Sequence, residues 1–330
     1  MRLAVAAVLG MAALASASAA LADDAAPTVS VGAGMRTSFA SSKPDGGNSS
    51  NDFDLNSIRL YVSGSVTNDI KFTFNTEYTG DVSGDNKVQV MDAIARFEFS
   101  DEFNIWAGRF LPPSDRANLH GPYYSNEWST FIDGVQDGYA SVAVGRDDGI
   151  AYWGQFLEDK LTASAGLFSI PSSFGSGHVV EAERLQLDLW DAEKGYYVNG
   201  TYYGDKDILA LGVAGQELRS KSAYSVDFLM EKKLGDLGMV SVQGEYAKYE
   251  FGGYAADKSD GGYGLVSYLF PQVIGIGKFE VLAKYAKTTY DYGEDDDSEI
   301  VGSIGQKTKI FEIGYIIKEF NARVSLFYTM

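Results

Sequence analysis

Between Ile58 and Tyr78 the chain reads IRLYVSGSVTNDIKFTFNTEY, and apolar and polar residues take turns. Ile58, Leu60 and Val62 share one face. After a pause at Thr67-Asn68-Asp69, so do Ile70, Phe72 and Phe74. The opposite face carries Arg59, Tyr61 and Ser63, then Lys71, Thr73, Asn75 and Glu77. A period of two is the mark of a strand with one apolar and one polar side. ERLQLDLWD sets Leu185, Leu187 and Leu189 against Arg184, Gln186 and Asp188, and YSVDFLME sets Tyr224, Val226 and Phe228 against Ser225 and Asp227. In all, the pattern predicts strands over 28–40, 53–66, 70–79, 88–99, 103–110, 149–157, 160–170, 183–191, 207–216, 222–233, 239–251, 263–270, 278–291, 307–317 and 322–330. These make fifteen, and Tyr196–Tyr203 is a candidate for one more.

The connections alternate in length. Thr67–Asp69, Ser100–Glu102, Glu158–Lys160, Gly235–Gly238 and Lys318–Asn321 are short. The segments 41–52, 79–87, 112–148, 171–183, 252–262 and 293–306 are long and polar. Strands of about ten residues, with short turns at one end and long loops at the other, fit an antiparallel transmembrane β-barrel. No helical stretch is there to cover so many apolar faces, so they are expected to meet lipid. The polar faces then line the lumen, and closure pairs every backbone group. An exported β-sandwich or β-helix is the competing all-β reading. No linker or second domain interrupts residues 23–330.

The start of the chain reads differently. Arg2 precedes LAVAAVLGMAALASASAA, and Ala20-Leu21-Ala22 has the small-x-small form of a cleavage site. Residues 1–22 are thus expected to be a secretory signal peptide, removed and outside the fold. No later stretch reaches 18 consecutive apolar residues, so no transmembrane helix is expected. There is no cysteine, which excludes a disulfide framework. Acidic residues outnumber basic ones 45 to 27, which argues against nucleic acid as a partner. Glycine (37), tyrosine (21) and phenylalanine (19) are abundant and proline (7) is scarce, as suits tight turns and aromatic bands. Tyr78, Phe99, Tyr246, Tyr285, Tyr290 and Tyr292 fall near strand ends, where a lipid–water girdle would want them.

Four stretches resemble the bacterial outer-membrane porin family named for phosphate-selective porins O and P. They are SIRLYVSGSVTNDIKFTFNTEY, FNIWAGRFLPPSDR, VGRDDGIAYWGQF and ERLQLDLWDAEKGYYVNGTYYGDKDILALGVAGQ, and their order along the chain is more specific than any one of them. The resemblance covers most of residues 55–330. It implies a sixteen-stranded barrel in the bacterial outer membrane, commonly a homotrimer, with a third outer loop folded inward. Two features depart from it. Fifteen strands leave the chain ending at the outer rim, one strand short, unless Tyr196–Tyr203 is a strand; and ARVSLFYTM ends in Met330 where a terminal aromatic is usual. The basic residues are also scattered, whereas a phosphate trap needs them clustered.

The inward loop is placed at 112–148. Pore-lining and constriction candidates are Arg59, Lys71, Glu77, Asp92, Arg96 and Arg109 on the wall, and Asp115, Arg116, Glu127 and Asp133 on the loop. Loop acids are expected to face basic wall residues, giving a mixed transverse field. Ordinary solvated charges are the bland alternative. GEDDDSE (293–299) lacks the spacing of a calcium loop and reads as a solvated run. The two histidines, His120 and His178, lie in outer loops without the geometry a triad demands. No cofactor, metal or catalytic site is expected. The expected function is passive diffusion of small hydrophilic solutes and ions, with weak cation preference from the acidic excess. The alternatives are an anion- or phosphate-selective porin, a barrel enzyme and a surface adhesin. Expected partners are outer-membrane lipid and lipopolysaccharide.

Overall fold

A computed structural model describes residues 5–15, 27–43, 47–79, 87–129, 135, 145–169, 178–219, 221–250, 258–294 and 300–330. Its strands form one closed antiparallel barrel in which each strand pairs with its neighbours in sequence. They are β1 (Val5–Ala15), β2 (Thr28–Ser42), β3 (Ser50–Ser65), β4 (Ile70–Thr79), β5 (Lys87–Glu98), β6 (Asn104–Phe110), β7 (Asp147–Phe156) and β8 (Leu161–Ser169). Then come β9 (Val179–Asp188), β10 (Ile208–Leu218), β11 (Lys221–Lys233), β12 (Met239–Tyr249), β13 (Lys258–Ile274), β14 (Gly277–Glu294), β15 (Ile300–Lys318) and β16 (Ala322–Thr329). A five-residue helix, α1 (Arg116–His120), follows β6.

Each of the fifteen runs of alternation is a strand, β2 to β16. The pairs β13–β14 and β14–β15 extend several residues farther than alternation alone suggested, past the apolar rows into polar sequence. The sixteenth place is taken by β1, whose residues lie inside the segment read as a leader and expected to stand outside the fold. In the structure Val5–Ala15 pairs with β2 on one side and β16 on the other. The physical reason is edge satisfaction: without a strand there, β2 and β16 would present unpaired backbone groups to hydrocarbon. Tyr196–Tyr203 is not a strand. It lies in the 189–207 connection between β9 and β10, at the end of the barrel that otherwise carries short turns.

Burial is inverted relative to a water-soluble protein. On β9, Leu185 is 52% exposed while its neighbour Arg184 is 5% exposed. On β3, Ile58 is 39% exposed and Arg59 8%. The outside is a belt of Val, Leu, Ile, Phe and Tyr, and the inside holds the charges. Only a lipid solvent rewards that arrangement across every strand. Phe99, Tyr246 and Tyr285 are exposed on this outer surface, as a girdle requires.

Val213 stands in the middle of β10 on the lipid side, 50% exposed. Val213→Arg is expected to destabilise the barrel in lipid vesicles by roughly 2–4 kcal/mol, the cost of a cation near the bilayer midplane. Urea unfolding in vesicles measures it; an unchanged midpoint would mean that this face does not meet hydrocarbon.

Candidate functional site

The lumen is narrowed by two segments that enter from opposite ends. After Phe110, the sequence Leu111-Pro112-Pro113-Ser114-Asp115 turns inward and is buried. Asp115 caps α1, its Oδ1 accepting from the Asn118 N–H at 2.7 Å. Capping orients α1 so that the Arg116 guanidinium reaches the far wall. It donates to Glu193 Oε1 at 3.0 Å, to the Asn199 carbonyl at 2.9 Å and to Gln186 at 3.3 Å, with Asp227 3.5 Å away. Arg184 shares Asp227, at 2.9 Å. The Arg116 and Ala117 N–H groups donate to Asp227 and Glu245, both at 3.2 Å.

The same segment continues across the lumen to the β15–β16–β2 wall. Arg323 donates to the Asn126 carbonyl at 2.9 Å and to Glu312 at 2.6 Å, and Glu312 also accepts the Trp128 N–H at 3.1 Å. Arg36 donates to the Trp128 carbonyl at 2.9 Å. The Arg36 and Arg323 guanidinium carbons lie 5.3 and 4.8 Å from the Trp128 ring centre, a cation–π pair of contacts. Each cation buried here is held by carboxylates, carbonyls or rings, which is the condition for keeping it charged away from water.

The second segment, between β9 and β10, comes from the short-turn end. Its Glu193 is the carboxylate that Arg116 grips. The Tyr196 hydroxyl donates to the Leu111 carbonyl at 2.8 Å, and the Gly200 N–H donates to the Tyr124 carbonyl at 2.8 Å. Tyr196 stacks against Trp106 with ring centres 4.7 Å apart. Glu231 on β11 anchors the segment by accepting from Thr201 and from the Tyr202 and Gly204 N–H groups at 2.7–2.9 Å. A side chain at Gly200 would meet the Asn126 N at 2.8 Å and the Tyr124 carbonyl at 3.0 Å, so this crossing needs glycine.

What stays open is the sector along β3 to β7. A cavity of about 600 Å³ there is lined by Arg59, Arg96, Arg146 and Lys194, with Asp92 and Glu98 among them. Tyr61, Trp106, Tyr196 and Tyr197 supply the aromatic wall. Arg59 pairs with Glu77. Arg96 bonds Glu98 at 2.8 Å and Thr73 at 3.2 Å, 5.0 Å over the Trp106 ring. Arg146 lies 3.2 Å from Asp92, and Lys71 lies 2.8 Å from Glu98. His120 borders the cavity, with Nδ1 2.8 Å from the Gly121 carbonyl; burial lowers its pKa to about 4, so it adds no charge at neutral pH.

Of the residues singled out in the sequence, Arg59, Asp92 and Arg96 line this passage, and Lys71 and Glu77 are their wall partners. Asp115, Arg116 and Glu127 stand on the filled side, Glu127 3.4 Å from Lys284. They fasten the loop and do not face the basic wall. Arg109 shares the outward parity of Ile105 and Ala107 and pairs with Asp148 at 2.6 Å. Asp133 and the acidic run at 295–299 lie outside the described residues. Lys194 and the inward course of the 189–207 segment escaped the sequence reading, which took Tyr196–Tyr203 only as a candidate strand. The unusual length of that one connection at the short-turn end was the available signal.

Residues 29–148 match the family described as phosphate-selective porin O and P. The chain is an outer-membrane porin, similar to that family over residues 29–148. It forms a channel for small solutes in the outer membrane, as the inverted burial and the lined passage require. None of the curated proteins matches the sequence. Among solved structures, outer-membrane expressed OmpT of Vibrio cholerae aligns over 94% of this porin and 99% of its own chain, at 11% identity and a TM-score of 0.52, which supports the fold. The outer membrane channel DcaP of Acinetobacter baumannii aligns over 99% and 95% of the two chains, at 11% identity and a TM-score of 0.44.

Breaking a buried ion pair by removing one partner costs roughly 3–5 kcal/mol. Arg116→Ala is therefore expected to release the two segments from each other and raise single-channel conductance in planar bilayers, and Gly200→Val to do the same by steric conflict. Unchanged conductance in both variants, with the barrel folded, would mean that the segments do not limit the pore.

Proposed function

We propose that this porin conducts small hydrophilic solutes and ions by passive diffusion along the β3–β7 sector, with a modest preference for anions. The observation that carries the reading is the lining of the passage: four cationic side chains against two carboxylates among the described residues. The weak cation preference expected from composition rests on a net charge of −18 spread over the whole chain. Selectivity follows the charges in close range of the permeating ion, whereas distant ones are screened within about 10 Å at 0.1 M salt. A high-affinity phosphate site is not proposed, because Arg59, Arg96 and Arg146 already have carboxylate partners that a phosphate would have to displace.

Residues 112–128 act as the inward loop. The His120 ring is engaged with the Gly121 carbonyl and not with a serine hydroxyl, which favours a channel over a hydrolase. The homotrimer implied by the family resemblance is retained, as is outer-membrane lipid around the apolar belt. Residues 1–22 are proposed as an export leader.

In a salt gradient at low ionic strength the reversal potential is expected to have the anion-selective sign. Arg96→Ala and Arg146→Ala should each move it toward zero; a cation-selective wild type would overturn the reading, and block by micromolar phosphate would restore the phosphate trap. For the leader, the intact mass of protein extracted from outer membranes is expected to correspond to a chain starting at Asp23. A mass that includes residues 1–22 would make β1 a permanent strand.

A further inference from the structure

The outer surface of β11 to β15 carries a feature that the channel does not use. Phe228, Gly244, Gly264, Tyr285 and Lys309 stand in register across five strands, all on the lipid side. The two glycines and Ala283 leave an apolar trough of about 690 Å³, with Phe228 on one side and Tyr285 and Phe311 on the other. A side chain built at Gly264 would meet nothing within 4 Å, so the space is open to the surroundings.

Lysines cap the trough. Lys309 borders it, and Lys287 and Lys307 lie one row above as direct cross-strand partners. All three are exposed, and among the described residues no ion pair or hydrogen bond engages their ammonium groups. Two like charges directly opposite on a sheet are destabilising unless an anion lies between them. Their height fits such an anion. Lys287 is ten residues up β14 from Gly277, which for a strand tilted by about 40° is about 26 Å along the membrane normal. The apolar band of such barrels is about 25 Å tall. The lysines therefore reach the outer leaflet at the level of its headgroups, while the trough below lies within its acyl chains.

We infer that this face is a binding site for a phosphorylated acyl lipid of the outer leaflet, its phosphate held by Lys287, Lys307 and Lys309 and one acyl chain laid in the trough over Gly264 and Ala283. The inference rests on the outer-membrane reading of the barrel and names a partner for one of its faces. Charge complementarity and the apolar slot select the same ligand independently.

The test uses the detergent-solubilised protein and lipid A as the probe, with bound lipid counted by native mass spectrometry. Wild type should retain diphosphorylated lipid A, and inorganic phosphate should bind far more weakly, lacking the chain. Replacing all three lysines by serine should weaken retention by about 100-fold, from about fivefold per lysine near an anionic surface. Gly264→Leu should also weaken it, by filling the trough without touching a charge. Both variants should keep wild-type conductance, since every altered residue faces away from the lumen; loss of conductance in the wild type itself would indict the channel reading instead. Equal retention of dephosphorylated lipid A, unchanged binding by both variants, or inorganic phosphate binding as tightly as the lipid would overturn the site. So would a triple variant that keeps its lipid but dissociates into single chains, since the face would then be an interface between copies.

Discussion

In hydrocarbon an unpaired backbone N–H or C=O costs several kcal/mol, and no water is present to relieve it. That constraint determines most of this molecule. It forces the sheet to close, so each strand from β1 to β16 has two neighbours. Closure fixes the register, and register fixes which alternate residues face lipid. The lumen then receives most of the charged residues that the strands carry. In so confined a space those charges must find partners or hold water, and this is why the inside is a set of linked ion pairs and not an empty tube.

The two inserted segments are the answer to that second requirement. The far wall holds carboxylates on β11, β12, β14 and β15, with Arg184 and Arg323 too few to balance them. The loop after β6 brings Arg116 to Glu193 and Asp227, and the N–H groups of α1 to Asp227 and Glu245. The segment after β9 brings Glu193 to Arg116 and places its aromatic rings against Trp106 and Trp153. Each segment supplies what the other lacks. Each would lose a buried ion-pair partner without the other, so the narrowing of the pore is a cooperative product of the two.

How much of this was legible follows from the range of the interactions. Alternation is local, and it identified β2 to β16 and assigned Arg59, Lys71, Glu77, Asp92 and Arg96 to the inner face. The parity rule also placed Arg109 outside with Ile105 and Ala107; reading it as a wall residue ignored that rule. The segment YYVNGTYY has strand-like composition, but its rings are there to pack on Trp106 and Trp153, and Gly195, Gly200 and Gly204 break any alternation. Loop acids could not be paired from sequence at all. Asp115 caps the helix that starts at the next residue, accepting from an N–H three residues on, whereas Glu127 finds Lys284 157 residues away. The strand from Val5 to Ala15 was hidden for another reason: a run of small apolar residues serves a leader and a lipid-facing strand equally well.

The distribution of charge is the reason the proposed selectivity differs from the one composition suggests. Much of the acidic excess sits where a permeating ion does not go. Asp188, Glu193, Asp227, Glu231, Glu245, Glu280 and Glu312 are buried on the filled side, tied to arginines or to backbone N–H groups of the inserted segments. Others, such as Glu181, Glu183 and Glu217, are exposed on the outward face. The open sector keeps Arg59, Arg96, Arg146 and Lys194, whose guanidinium and ammonium groups border the cavity while Glu77 and Asp159 hold two of them from behind. On the proposed reading, an ion in the passage meets more cationic groups than carboxylates. A chain with a large negative net charge can present a positive constriction, because folding sorts the charges by which side of the loop they stand on.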